Sequence, residues 1–416
     1  MKKKIYCFLL INFIFSASLF FSHTKIISNE KLKKIVEPKL YTEKTVFQNV
    51  QKGQLAEDFE AFVYFLSTSY IAYGKMIENG FVLDDFCFNI KDKIEKNIIK
   101  TSDDLIKNIY EELKGYIHDS HFAVANGSHV YSFNEKLLAQ SSDLQNDFSM
   151  VINKNSVYLN LPDFLPDFFQ EKSATKEYFE KVYAEFKKIK QKKYLIIDLR
   201  NCPGGTTDFP LLLLYSLYAE AKSVVPSEIY DARQLEAEII YKTSKTIETP
   251  ITESLKYQRA VYMGNIKYAD ILRTSSIMQN NNPRRIINSN NSNSLKKIHK
   301  PAYKGKIVFL TNNKTASAAE ILILLSKELF PKNIKIIGKN TMGGLTYVDV
   351  YQLIMPNKSF AMSITFKSIE ESLKQFDCWK GECLGIQPDI ISSDEDIYSN
   401  LTRITKDKNL RLNNEN

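Results

Sequence analysis

Ser317 stands in the run Lys314-Thr-Ala-Ser-Ala-Ala-Glu320, after an apolar strand pattern and before a helical one. A serine at a strand-to-helix junction is placed for nucleophilic chemistry. Its hydroxyl sits at the end of a rigid strand. The first N–H groups of the helix have no intrahelical partner and can bind a developing oxyanion. The flanking alanines leave room for a carbonyl group. The same residues also fit a capping box, with Ser317 as N-cap and Glu320 at N3. On this segment alone the cap is the better reading.

Three further groups could join such chemistry. Asn201-Cys-Pro-Gly-Gly205 follows an apolar strand, and its two glycines allow a tight turn and a close approach to a ligand. A serine nucleophile needs a base, and the chain has only 5 histidines. His121, in Asp119-Ser-His-Phe122, is one of them; a lone histidine is more often structural or solvated. Glu382, in Gly381-Glu-Cys-Leu-Gly-Ile-Gln-Pro-Asp389, could orient a base or could be a surface acid.

The elements that must position these residues are legible as patterns. Residues 41–122 read as an N-terminal helical region. Phe59, Phe62, Val63, Phe65 and Leu66 recur at helical spacing, as do Leu105, Ile106, Ile109, Tyr110 and Leu113 after the helix start at Ser102-Asp103-Asp104. From about 150 to 395 strands alternate with helices, which argues α/β. Strands are predicted over 157–161, 194–199, 307–311 and 334–337, helices over 173–190, 209–221 and 317–330. Residues 347–354 and 359–365 read as an antiparallel pair. An Asn- and Ser-rich insertion covers about 224–302, and 396–416 is a polar tail expected to be peripheral.

With 416 residues, 44% hydrophobic and 25% charged, the chain has the composition of a globular protein of more than one domain. The net charge of +8 is spread over helices that also carry acids, without a zinc-finger, RNA-binding or phosphate-loop pattern, so no nucleic-acid partner is expected. Residues 1–22 hold a short positive stretch and an apolar run from Ile5 to Phe21, the pattern of a signal peptide or an uncleaved anchor. The expected location is therefore periplasmic, cell-envelope or secreted. Export permits disulfides, and Cys378 and Cys383 could close a small loop. No Cys-x-x-Cys or paired-histidine spacing suggests a metal site.

Taken in order, Asp119-Ser-His-Phe, Val157-Tyr-Leu-Asn-Leu, Ile197-Asp-Leu-Arg-Asn-Cys-Pro-Gly-Gly205, the Ser317 segment, Thr341-Met-Gly-Gly344 and Gly385-Ile-Gln-Pro-Asp389 resemble the tail-specific, or C-terminal-processing, peptidase family, which includes the tricorn core protease. The resemblance covers roughly 115–225 and 300–395. It implies a crotonase/ClpP-like α/β core with an N-terminal helical bundle, and it turns the reading of Ser317 from cap to nucleophile. The branch with a Ser–Lys dyad carries a lysine where this chain has Gly344, and Lys339 does not match that place. The tricorn-like branch uses a Ser-His pair and a later Glu, which Ser120, His121 and Glu382 fit; Glu370 and Glu371 are weaker candidates.

The resemblance implies an exported serine endopeptidase acting on polypeptides through an acyl-enzyme. His121 would take the Ser317 proton, Ser120 and Glu382 would link and orient the base, and N–H groups of Gly204 or Gly205 and of Ala318 would hold the oxyanion. No metal or cofactor is needed. The stretch between His121 and Val157 is too short for a PDZ domain. The competing readings are an inactive relative that binds peptides or proteins and, further off, an acyl-CoA enzyme of the related crotonase fold.

Overall fold

The computed structural model describes residues 39–40, 46–133, 148–164, 181–182, 184–205, 207–219, 247–248, 302–407 and 410–412. The signal-like N-terminus, half of the helix predicted over 173–190 and nearly all of the insertion lie outside the described residues.

A short strand, β1 (Lys39–Leu40), precedes four helices: α1 (Lys52–Thr68), α2 (Tyr73–Glu78), α3 (Leu83–Glu95) and α4 (Ser102–Leu113). Helix α4 begins on a cap. Asp104 N–H donates to Thr101 Oγ1 at 3.1 Å, and the Asp104 carboxylate accepts the Thr101 N–H at 3.0 Å. Its buried residues, Leu105, Ile106, Ile109 and Leu113, form one stripe. Strands β2 (Ala123–Ala125), β3 (Val130–Ser132), β4 (Ser149–Ile152) and β5 (Ser156–Asn160) follow. Then come α5 (Phe186–Gln191), β6 (Tyr194–Asp198), α6 (Asp208–Ala219), β7 (Ile247–Glu248), β8 (Lys306–Thr311), α7 (Ala318–Leu329) and β9 (Ile334–Gly338). The last elements are β10 (Tyr347–Ile354), β11 (Ala361–Ser368), α8 (Glu370–Leu373), β12 (Ile390–Ile391) and α9 (Ile397–Thr405).

One sheet runs in the order β12-β9-β8-β6-β5-β4 and is parallel except for the β4–β5 pair. Its central strands are apolar on both faces, as a strand covered on both sides must be. In β6, Leu195 and Ile197 face one core together with residues of α6 and α7, while Tyr194 and Ile196 face a second core. The second core corrects the expectation for the tail. Helix α9 is not peripheral: Ile397 and Leu401 are buried against Tyr158, Ile196, Val308 and Leu310.

The other sheet is antiparallel, in the order β1-β10-β11-β2-β3, with β7 also paired to β11. The N-terminal helices share their core with it. Phe59, Phe62 and Leu66 cluster with Leu353, Phe360, Ile364 and Phe366, and the Phe62 and Phe360 rings lie 6.0 Å apart. Buried Asp58 of α1 pins the turn between β10 and β11, accepting N–H groups of Asn357 at 2.7 Å and Ser359 at 3.1 Å. Strand β2 begins two residues after His121 and pairs with β11. The helical layer and the antiparallel sheet together therefore fix where His121 stands.

Candidate active site

Strands β6 and β8 are neighbours in the parallel sheet, with Asp198 opposite Leu310. The loops leaving their carboxyl ends therefore meet, and this is where α/β sheets bind ligands. The loops are laced together. Thr315 Oγ1 donates to the Leu199 carbonyl at 2.8 Å and accepts the Asn312 N–H at 3.0 Å. Asn201 N–H donates to Asn312 Oδ1 at 3.2 Å, and Ala316 N–H to the Cys202 carbonyl at 3.0 Å. From the other side Met342 N–H donates to the Thr315 carbonyl at 2.8 Å.

Ser317 follows this clamp as the N-cap of α7, with φ 53° and ψ −121°. A serine in that region is strained, and such strain persists only where the surroundings over-determine it. The capping-box residues face each other, yet the Ser317 side chain makes no cap hydrogen bond; the Glu320 N–H donates instead to the Ser317 carbonyl at 2.8 Å. The cap reading thus holds for Glu320, whose carboxylate accepts the Ser317 N–H.

The glycine turn packs directly on this serine. Gly204 has φ 89°, and a Cβ there would lie 2.6 Å from the Ala316 carbonyl oxygen and 2.9 Å from Ser317 Cβ. Only glycine permits that approach. Burial pushes the Cys202 thiol up, and the Gly204 N–H points to that thiol. Gly205 forms a parallel bridge with Phe164, and Phe164 N–H donates to the Gly204 carbonyl at 2.8 Å. A residue at the centre of such a bridge spends neither its own N–H nor its carbonyl on it. The Gly205 N–H is therefore not spent on the bridge, and a Cβ at Gly204 would lie 2.8 Å from the N of Ala318, the first residue of α7.

His121 and Ser120 sit just before β2. Ser120 Oγ donates to Glu382 Oε1 at 2.8 Å, and Ser120 N–H reaches the same oxygen at 3.2 Å. Glu382 Oε2 accepts the Thr346 N–H at 2.8 Å. Burial, then the nearby Asp119 charge, pushes the Glu382 carboxyl up to about 7. For His121, burial opposes protonation, but the charges of Asp119, Glu382 and Glu320 outweigh it and hold the imidazole above its ordinary value. Ser120, His121 and Glu382 thus stand together in the structure. Glu370 and Glu371 are not part of this group: both are exposed on α8, and Glu371 pairs with Lys374.

Gly344 explains the missing lysine. A Cβ at Gly344 would lie 2.8 Å from Ser120 Oγ and 3.7 Å from His121 Cε1. The space a lysine would need is the space that Ser120 and His121 occupy. Lys339 is exposed and points to Asp394 at 3.5 Å.

Two acids in the site carry no catalytic role in the sequence reading, where Glu320 is only the N3 residue of the capping box. Glu320 is fully buried and bridges both halves. Its Oε2 accepts N–H groups of Ser317 at 2.8 Å and Gly344 at 2.9 Å. Its Oε1 accepts the Gly343 N–H at 2.8 Å and the Thr341 hydroxyl. Burial pushes its carboxyl above the usual range against these four donors. Asp119, 1% exposed, accepts the His121 N–H at 2.8 Å and the Thr365 hydroxyl at 2.7 Å. Its place beside His121 in Asp119-Ser-His was the available signal. No disulfide joins Cys378 and Cys383.

A family model for peptidase family S41 matches residues 155–392, more than half of the chain. No curated protein matches it. Among solved structures, a lipoprotein from Streptococcus agalactiae shares 14% identity, with 87% of this chain and 99% of that one covered and a TM-score of 0.47. Mature CPAF shares 13%, with 85% and 97% covered and a TM-score of 0.46. The tricorn protease shares 12%, with 85% of this chain and 36% of that one covered and a TM-score of 0.40. The crotonase/ClpP-like α/β core with N-terminal helices agrees with the family match. The chain belongs to peptidase family S41 and is a serine peptidase.

Proposed function

We propose that this serine peptidase is an exported endopeptidase that cleaves polypeptides through an acyl-enzyme, with Ser317 as nucleophile and His121 as base. The observation that carries this reading is Ser317 itself: a serine strained at φ 53° in the loop that leaves the carboxyl end of β8, in contact with Gly204. Ser317 Oγ attacks the scissile carbonyl while its proton passes to the imidazole. The N–H groups of Gly205 and Ala318 receive the oxyanion, and the imidazolium then protonates the leaving amine. Ser120 and Glu382 brace the base. Export rests on the charged and apolar pattern of residues 1–22 and places the enzyme in the periplasm, the cell envelope or outside the cell.

A fluorophosphonate should label the parent protein and not Ser317→Ala. Peptide-library cleavage should fall by about 10⁴-fold or more in Ser317→Ala and in His121→Ala. A folded parent that takes no label is an inactive binding relative. Full loss in Lys339→Ala with activity retained in His121→Ala would restore the lysine dyad.

A further inference from the structure

In an acyl-transfer site the imidazole must be held in one tautomer. One ring nitrogen receives the serine proton, and the other donates its proton to a fixed acceptor. The resemblance assigns that support to Ser120 and Glu382. The geometry divides the labour differently. His121 Nδ1 is buried and has no hydrogen-bond partner. Glu382 is committed elsewhere: Oε1 to the hydroxyl and N–H of Ser120, Oε2 to the Thr346 N–H. Among the described residues, the carboxylate oxygen within ion-pair range of Nδ1 is Asp119 Oδ1, 3.7 Å away.

Asp119 is suited to close that gap. Its Oδ2 is held by the Thr365 hydroxyl of β11 at 2.7 Å, so the carboxylate cannot swing away. Its Oδ1 accepts one N–H, that of His121, at 2.8 Å and keeps a second lone pair. Catalytic hydrogen bonds are often long in the unliganded enzyme and tighten when substrate binds. The bland alternative is a local turn in which the Asp119 side chain caps the His121 N–H and does nothing more. That alternative leaves Nδ1 an orphan in a buried site.

We propose that Asp119 is the positioning residue of the base: with substrate bound, Asp119 Oδ1 accepts the Nδ1 proton of His121, and Nε2 is left to take the proton of Ser317. As the Ser317 oxygen bonds to the scissile carbon, its O–H bond breaks and the proton moves to Nε2. Asp119 faces the imidazolium so formed, which returns the proton to the leaving amine. Ser120 and Glu382 then fix the backbone beside the base. The other ionisable groups around this pair are Glu320, Tyr70 and Tyr347. The Tyr70 hydroxyl lies near Asp119 but without hydrogen-bond geometry to any partner. Both phenols are pushed above their ordinary range, by burial first and then by nearby carboxylates.

The inference rests on the assignment of Ser317 and His121, so the full-length chain is assayed on a cleaved peptide with Ser317→Ala and His121→Ala as controls. Asp119→Asn keeps the turn cap but loses the charged acceptor. It should lower kcat by about 10²–10⁴-fold with KM within a few-fold, and lower the His121 titration midpoint read by imidazole NMR. Glu382→Gln should cost less in kcat. If Asp119→Asn does not fold, Thr365→Val decides, because it frees the carboxylate without removing it. It should lower kcat by about tenfold or more at unchanged KM, and Thr365→Ser should restore it. Inactive controls with near-parental kcat in Asp119→Asn, or in a folded Thr365→Val where Asp119→Asn is lost, overturn the inference alone. So does a larger loss in Glu382→Gln than in Asp119→Asn. Active controls overturn it together with the site assignment.

Discussion

The two halves of the site are held by different means. On the side of the proposed nucleophile, backbone groups, one glycine contact and the buried Glu320 carboxylate, which accepts the Ser317 N–H, fix Ser317 beyond the end of a parallel strand. On the side of the proposed base, Glu382 from a distant segment and the adjacent Asp119 hold Ser120 and His121 against an antiparallel sheet. Backbone hydrogen bonds keep their strength at any working pH. Carboxylate contacts depend on ionisation, and a buried pair of acids cannot both ionise freely. The Glu320 carboxylate is itself locked by four donors, so the Ser317 half should fail first through sterics and the His121 half through charge.

Gly204→Ala is the largest test of that contrast. A Cβ at 2.6 Å from a backbone carbonyl, on a residue with φ 89°, cannot be absorbed by a side-chain rotation. The variant should lose about 10²-fold or more in kcat/KM and be destabilised by roughly 1–3 kcal/mol, at every pH tested. Stopped assays and thermal melts between pH 5 and 9 check this. A loss that varied steeply with pH would break the contrast.

Gly344→Ala should do less. The atom it meets first is the Ser120 hydroxyl, the end of a side chain that can rotate. About a tenfold fall in kcat is expected, with the fold intact. Nearly full activity would mean that the base half has slack the geometry does not show.

What the sequence disclosed follows the same division. The strand–turn–helix around Ser317 and the Gly-Gly turn are local, so apolar runs and turn residues mark them, and β6, β8 and α7 fall within a residue or two of their predicted ends. His121 needed the order of motifs along the chain, because nothing local distinguishes it from a solvated histidine. What was not legible is how Asp119 and Glu320 are held from outside their own segments. Asp119 accepts from Thr365, at a sequence separation of 246, and Glu320 from Thr341, Gly343 and Gly344. The shared core of the N-terminal helices and the antiparallel sheet was hidden likewise, since β2 is only 3 residues long. Helix α9 is a different failure: Ile397, Leu401 and Ile404 already carried helical spacing.

The smallest expected effect isolates the charge on the base half. Glu382 has a folded-state carboxyl raised from 4.5 to about 7, by burial first and then by Asp119. Between those values the folded chain holds a proton that the unfolded chain has released. Stability from this group is therefore fully present below pH 4.5 and is lost as pH rises toward 7. Glu382→Gln stays neutral throughout and escapes that loss. Its amide also faces the N–H donors of Ser120 and Thr346, which costs a little at every pH. The melting-temperature gap between variant and parent should thus move in the variant's favour from pH 4.5 to 7, by about 2–4 °C for each kcal/mol, and stay level above. Paired thermal melts across that range read the slope directly. A gap that stays flat would mean that Glu382 is already ionised at the acid end, and that Asp119 and Glu382 carry their charges together; the base half would then be no more sensitive to pH than the nucleophile half.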